Sequence, residues 1–228
     1  MKLLIIGYGK MGRAIERLAP QYGFQSVVII DNEEDWLQKT AEVKTCDVAI
    51  EFSTPQSVLS NVTKCFEMKM AVVSGTTGWE KQKEEFFKLW HNKTISFIYG
   101  TNFSIGANIF FKLNEFLAKQ MNTQHQYHVS IEETHHINKK DAPSGTAITI
   151  EKTILSQFDN KTPVPINSIR KGEVVGEHLV NYISAEDIIQ IKHNALNREA
   201  FAHGALKAAV WLPAHKGIYA FEDIFQKV

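Results

Sequence analysis

The stretch Leu3–Ala19, "LLIIGYGKMGRAIERLA", passes from four consecutive apolar residues through three glycines into a segment whose apolar residues recur at helical spacing. Gly7, Gly9 and Gly12 form a G-x-G-x-x-G. That spacing alone is weak, but between a strand and a helix it has a physical reason. Glycines allow a tight turn and close backbone approach, and the helix N-terminus then offers amides to a pyrophosphate. The next apolar run, Ser26–Ile30, ends at Asp31, placed where a carboxylate usually takes the ribose hydroxyls of an adenosine. A dinucleotide site is therefore expected at this loop.

The first hundred residues repeat the pattern. Strand-like runs at Asp47–Phe52, Met70–Ser74 and Ile95–Tyr99 alternate with helical segments near Glu33–Thr40, Ser57–Met68 and Glu80–Trp90. Strands separated by helices pair in parallel through right-handed crossovers, which predicts a Rossmann-type doubly wound parallel sheet. "SGTTGW" after the fourth strand and "GTNFSIGAN" after the fifth lie at carboxyl ends of strands, where ligands bind in such sheets. After Asn102 the pattern changes. An amphipathic run, Ala107–Met121, leads into an alternating stretch, Tyr127–Glu133, and a helix is expected from about Thr146 to Gln157. Three further strands, Ile166–Arg170, His178–Ile183 and Asp187–Ala195, follow with no helix between them, before a helix over Arg198–Leu212. This predicts a second, α+β domain with a mixed or antiparallel sheet. The expected boundaries are 1–102, joined by a return of about 206–228, and 103–205.

Composition narrows the function. Lysine plus arginine (25) balance aspartate plus glutamate (25), so no global field recruits nucleic acid or an acidic membrane, and any anion site must be local. Two cysteines, Cys46 and Cys65, have no metal-type or redox-type spacing, and both read as buried thiols of a reducing cytosol. The apolar run at the N-terminus stops at Gly7, too short for a signal peptide, and no run approaches the ~18 residues of a membrane span. A cytoplasmic protein is expected.

One local anion site stands out in "EETHHINKKDAPSGTA", Glu132–Ala147. His135, His136, Lys139 and Lys140 lead into Pro143, Ser144 and Gly145, which read as a helix start with free amides. Gly145 lets a ligand oxygen approach, and Thr146 adds a hydroxyl. Histidine donates a proton near neutral pH and lysine supplies charge, which suits a carboxylated substrate that must be protonated. Side chains alternate along a strand, so His135 and His136 should play different parts. Adjacent histidines lack the i, i+4 spacing of a zinc site, and no metal is expected.

These residues carry a resemblance. "GYGKMG", "EFSTP", "GTTGW", "TNFSIGAN", "HHINKKDAPSGTA", "SIRKGEVVGEH" and "REAFAHGALKAAVWL" occur in the order found in the 4-hydroxy-tetrahydrodipicolinate reductase (dihydrodipicolinate reductase) family, and the chain resembles that family over nearly its whole length. The resemblance implies reduction of a small cyclic dicarboxylate by NADH or NADPH with loss of water, in the diaminopimelate route to lysine. It implies catalytic roles for His135 and Lys139, and carboxylate binding by His136, Gly145 and Thr146. The dinucleotide would touch Gly7, Tyr8, Gly9, Lys10, Met11, Gly12, Asp31, Gly75, Thr76, Thr77, Gly100, Thr101, Asn102 and Phe103. A homotetramer assembled through the second sheet is also implied. This sequence departs from some members: Asn32 and Thr54 stand where those carry basic residues, which removes partners for a 2′-phosphate and favours NADH. Another two-domain Rossmann dehydrogenase would explain the glycine loop but not "DAPSGTA". A non-catalytic nucleotide sensor would not need both His135 and Lys139.

Overall fold

The computed structural model describes residues 1–90 and 94–228. The chain divides into two compact units, Met1–Ile105 with Glu199–Val228, and Gly106–Arg198.

In the first unit, β1 (Lys2–Ile6), α1 (Lys10–Leu18), β2 (Ser26–Ile30), α2 (Glu33–Gln38), α3 (Thr40–Val43), β3 (Val48–Glu51), α4 (Val58–Glu67), β4 (Ala71–Ser74), α5 (Glu80–Trp90) and β5 (Ser96–Tyr99) follow one another. The strands form a parallel sheet in the order β5-β4-β3-β1-β2. Strand order reverses beside β1, which places the loops after β1 and β3 at a crevice. Both faces are covered, so the strands read as apolar runs without alternation. Leu3, Ile5, Ile50 and Val73 pack on one side with Ile15 and Leu18 of α1, while Leu4, Ile6, Ala49 and Val72 pack on the other with Val62, Phe66 and Phe86. Each such Leu or Ile, buried fully, contributes about 1.5–3 kcal/mol. Cys65 is fully buried, but Cys46 is only half-buried, because it follows the surface turn that ends α3.

The second unit carries α6 (Ile105–Met121, from Gly106 on), β6 (His128–His135), α7 (Gly145–Gln157), β7 (Ile166–Arg170), β8 (Gly176–Ile183) and β9 (Ile188–Ala195). Its sheet runs β7-β6-β8-β9 and is mixed: β6 is parallel to β7 and antiparallel to β8, and β8 is antiparallel to β9. Phe110 and Met121 of α6 with Ile150 and Ile154 of α7 cover Ile131, Val180 and Tyr182 of the sheet. The chain then returns to the first unit through α8 (Glu199–Trp211), β10 (Gly217–Ala220) and α9 (Phe221–Ile224). β10 adds to the edge of the first sheet, parallel to β5. No helix among the described residues is long and apolar enough to cross a membrane.

Candidate active site

In the first unit the glycine loop joins β1 to α1. Gly7 has φ +89°, and a Cβ there would fall 2.2 Å from the Phe52 carbonyl oxygen. A Cβ on Gly12 would fall 2.2 Å from the Gly7 oxygen, so α1 can close onto the loop only as glycine. Above Gly9 there is open space. No side chain caps α1, which leaves its first-turn amides for a ligand. A cavity of about 350 Å³ lies here, lined by Gly9, Lys10 and Met11, by Phe52, Ser53 and Pro55 after β3, and by Gly75, Thr76 and Thr77 after β4. This cradle of small residues and open amides fits a dinucleotide phosphate.

Asp31 joins the loop rather than the cavity lining: its Oδ1 accepts the Tyr8 N–H at 2.7 Å. Gly100, Thr101, Asn102 and Phe103 follow β5 outside that lining. Phe103 is 1% exposed and turns into the core, 4.5 Å from the Phe221 ring and 5.9 Å from that of Phe52. The sequence reading assigned no role to Phe52, Ser53 or Pro55, although "EFSTP" carried them, and none to Arg13, whose guanidinium lies 4.6 Å over the Tyr8 ring. Glu51 was missed too. It is fully buried, and its carboxylate accepts from Ser74 Oγ at 2.6 Å, Thr76 Oγ1 at 2.8 Å, the Ser53 N–H at 3.0 Å and the Ser53 hydroxyl.

In the second unit, His135 ends β6, His136 follows it, Lys139 lies on the connecting loop, and Gly145 and Thr146 open α7. All five candidates are thus held by one strand, one loop and one helix start. Ser144 caps α7 by accepting the Ala147 N–H at 3.1 Å. The Lys139 ammonium donates to both Asp141 carboxylate oxygens, at 2.9 and 2.7 Å. Arg170 ties the loop down, donating to the backbone oxygens of Asp141 at 2.6 Å and Lys139 at 3.3 Å.

Beneath these residues lies Glu133, fully buried on the same face of β6 as His135. Its Oε1 accepts the Ser144 N–H at 3.1 Å and Arg170 Nη2 at 3.2 Å. Its Oε2 lies 3.0 Å from His135 Nδ1 and 3.9 Å from His178 Nε2. His178 and Ser144 share a hydrogen bond of 3.2 Å. Burial raises the Glu133 pKa, yet hydrogen bonds from Ser144, Ser168 and Arg170 prevail and hold it below its ordinary value. Burial lowers His135, with Glu133 opposing, and burial brings His178 down to about 4. Asp141 is lowered by its bond to Lys139. Glu133, His135 and His178 each place one ligand-type atom within 4.8 Å of the others, the one such group among the described residues. Arg170 and the Ser144 amide occupy Oε1, while Oε2 and His135 Nδ1 make no hydrogen bond of standard geometry among the described residues.

A parallel, glycine-looped nucleotide sheet and a separate unit with a histidine–lysine cluster at a helix start define a nicotinamide-dependent oxidoreductase of two-domain type. The chain belongs to the dihydrodipicolinate reductase family: residues 1–103 match that family's N-terminal part and residues 106–225 its C-terminal part. The 4-hydroxy-tetrahydrodipicolinate reductase of Christiangramia forsetii is 38% identical over 98% of this chain and 97% of its own length. That of Thermosipho africanus is 34% identical over 100% and 99%. In fold the chain is similar to a dipicolinate-bound dihydrodipicolinate reductase from a Paenisporosarcina species, with TM-score 0.76, 22% identity, and 98% and 99% of the two chains covered.

Proposed function

We propose that this chain reduces 4-hydroxy-tetrahydrodipicolinate to tetrahydrodipicolinate in the diaminopimelate route to lysine. The hydroxyl leaves with a hydrogen of the neighbouring ring carbon as water, and one hydride and one proton enter the ring. The reduced nicotinamide supplies the hydride when bound. His135 transfers the proton at Nε2, and Lys139 is a second proton donor, released from Asp141 as substrate arrives. His136, the Gly145 backbone and Thr146 hold substrate carboxylates at the N-terminus of α7, where amides and dipole favour an anion. The observation that supports this reading most is the tie between the two parts of the cluster: Glu133 touches both His135 and the Ser144 cap, so proton donor and carboxylate site share one anchor.

Gly7 to Gly12, Asp31, Gly75 to Thr77 and Gly100 to Phe103 hold the dinucleotide, and NADH serves at least as well as NADPH. Asp31 supports this, as does Lys39, whose ammonium is engaged by Asp35 at 2.7 Å and the Ile29 oxygen at 2.8 Å rather than left for a phosphate. A cytoplasmic homotetramer is assembled through the second unit's sheet, in line with exposed Ile188 and Ile189 on edge strand β9. The test follows nicotinamide absorbance with substrate made in situ, for each cofactor. Oxidation only when substrate is present is the expected result, and tight dinucleotide binding without turnover would favour a sensor.

A further inference from the structure

Taking His135 as the proton donor, we infer that Glu133 is its positioning residue: it fixes the proton of the neutral ring on Nδ1, leaves Nε2 as the exchanging atom, and supports the imidazolium that proton donation requires.

Glu133 Oε2 and His135 Nδ1 lie 3.0 Å apart, and neither makes a hydrogen bond of standard geometry to any group among the described residues. Because the carboxyl is held below its ordinary pKa, it brings no proton to this contact. A neutral ring protonated on Nε2 would set two lone pairs against each other out of water, whereas one protonated on Nδ1 places an N–H beside the carboxylate. The carboxylate cannot turn away. Its Oε1 is fixed by two donors from different elements, the Ser144 amide before α7 and Arg170 at the end of β7.

Nε2 is meanwhile left open by Gly176, where a Cβ would lie 3.1 Å from it. The His178 ring stands across His135 at 5.1 Å and 74° and is neutral at physiological pH, so it walls the site without competing for the proton. The charged and titratable groups facing His135 are Glu133 on its own strand, Arg170 on β7, His178 on β8, and Lys139 and Asp141 on the loop. Burial, Lys139 and Arg170 disfavour the imidazolium, and Glu133 is the strongest opposing group.

Glu133→Gln gives a sharp test. Arg170 and the Ser144 amide are both donors, so the glutamine oxygen must take the Oε1 place and its NH2 must face His135 Nδ1. The ring then has to accept there, and its neutral tautomer inverts. Full-length protein labelled with ¹⁵N-histidine would be followed by long-range ¹H–¹⁵N spectra across pH, with His135 assigned by its loss in His135→Asn. The wild type should show the Nδ1–H tautomer. Glu133→Gln should show Nε2–H and titrate at lower pH, and the limb of the kcat profile that falls as pH rises should move down with it. Its kcat should fall ~10–100-fold with KM for substrate unchanged. An Nε2–H tautomer in the wild type overturns the inference even if the variant fails to fold, and so does an unchanged tautomer and titration in a folded variant. A wild type with the Nδ1–H tautomer but no reductase activity would instead sink the proposed reaction and leave the positioning intact.

Discussion

Replacing Glu51 with alanine should damage stability and cofactor binding together. Glu51 ends β3 and pairs in register with Ile6 on one side and Ser74 on the other. Its carboxylate gathers donors from Ser74 at the end of β4 and from the loops after β3 and β4, which line the cavity beside the glycine loop. Hydrogen bonds to a carboxylate contribute about 1.5–3 kcal/mol each. Not all four are lost outright: the Ser53 N–H also meets Thr76 Oγ1 at 2.8 Å, and the Ser53 hydroxyl also meets that of Ser57 at 2.9 Å. Two bonds' worth of loss gives about 3–6 kcal/mol for Glu51→Ala. For a chain of this size, that lowers Tm by roughly 10 °C. Loosening Ser53 and Thr76 should weaken NADH binding about tenfold, near 1.4 kcal/mol. Glu51→Gln should cost only about 1 kcal/mol, since its oxygen can take the three donors at Oε1 and its NH2 can face a rotated Ser74 hydroxyl. Thermal melts by circular dichroism and a nicotinamide fluorescence titration measure both effects. A Glu51→Ala protein melting within about 2 °C of wild type, with unchanged NADH affinity, would show that Glu51 holds neither loop.

Four further outcomes are expected. His135→Ala and Lys139→Ala should each lower kcat ~10²-fold while dinucleotide Kd barely moves, and near-normal turnover in both would remove them from the chemistry. Gly145→Val should raise KM sharply and weaken competitive inhibition by a planar aromatic dicarboxylate, with Tm held because a Cβ there meets nothing within 4 Å; an unchanged KM would move the carboxylate site elsewhere. A phosphate about 4 Å from Asp31 is repelled by ~1–2 kcal/mol after screening, so Asp31→Ala should shift kcat/KM toward NADPH by about tenfold. Lys10 lines the cavity and Arg13 stacks on Tyr8, so a tenfold NADPH preference in the wild type would show that these cations outweigh Asp31. Finally, Glu133 and Asp141 both have depressed folded-state pKa values. Their stabilisation is fully present above the unfolded carboxyl range of about 4 and is lost as pH falls through the lower folded values. Urea midpoints at neutral pH and near pH 3 check this, and equal midpoints would contradict it.

The parts of the fold legible in the sequence are those whose signal is local. Ser26–Ile30, Glu80–Trp90 and Ile166–Arg170 have the ends that periodicity and turn residues predict. The glycine loop is equally plain, because close approach to the Phe52 oxygen admits only glycine at position 7. What could not be read depends on register between distant segments. β10 is four residues long, and only pairing with Ser96–Tyr99 makes it a strand. The break between α2 and α3 falls at Lys39, which carries no glycine or proline to announce it. Glu133 meets His178 and stands beside Arg170 because β6 pairs Glu133 with His178 on one side and His135 with Arg170 on the other. "SIRKGEVVGEH" displays both residues, yet no local pattern says which strand position they will face.

Two buried glutamates then show how environment divides one residue type between two tasks. Glu51 is ringed by hydroxyls and one amide, so its acceptors meet only neutral donors. Such a carboxylate acts as a latch, and an amide of the same shape reproduces most of it. Glu133 has a guanidinium fixed on one oxygen and an imidazole on the other. There the isosteric amide cannot stand in, because the donors on Oε1 dictate its orientation and force the histidine to accept where it had donated. The same glutamate-to-glutamine change should therefore be nearly silent at the end of β3 and should invert the proton-bearing nitrogen at the end of β6. The difference follows from which neighbours can exchange the roles of donor and acceptor: a serine hydroxyl turns at little cost, whereas an arginine and a backbone amide never accept.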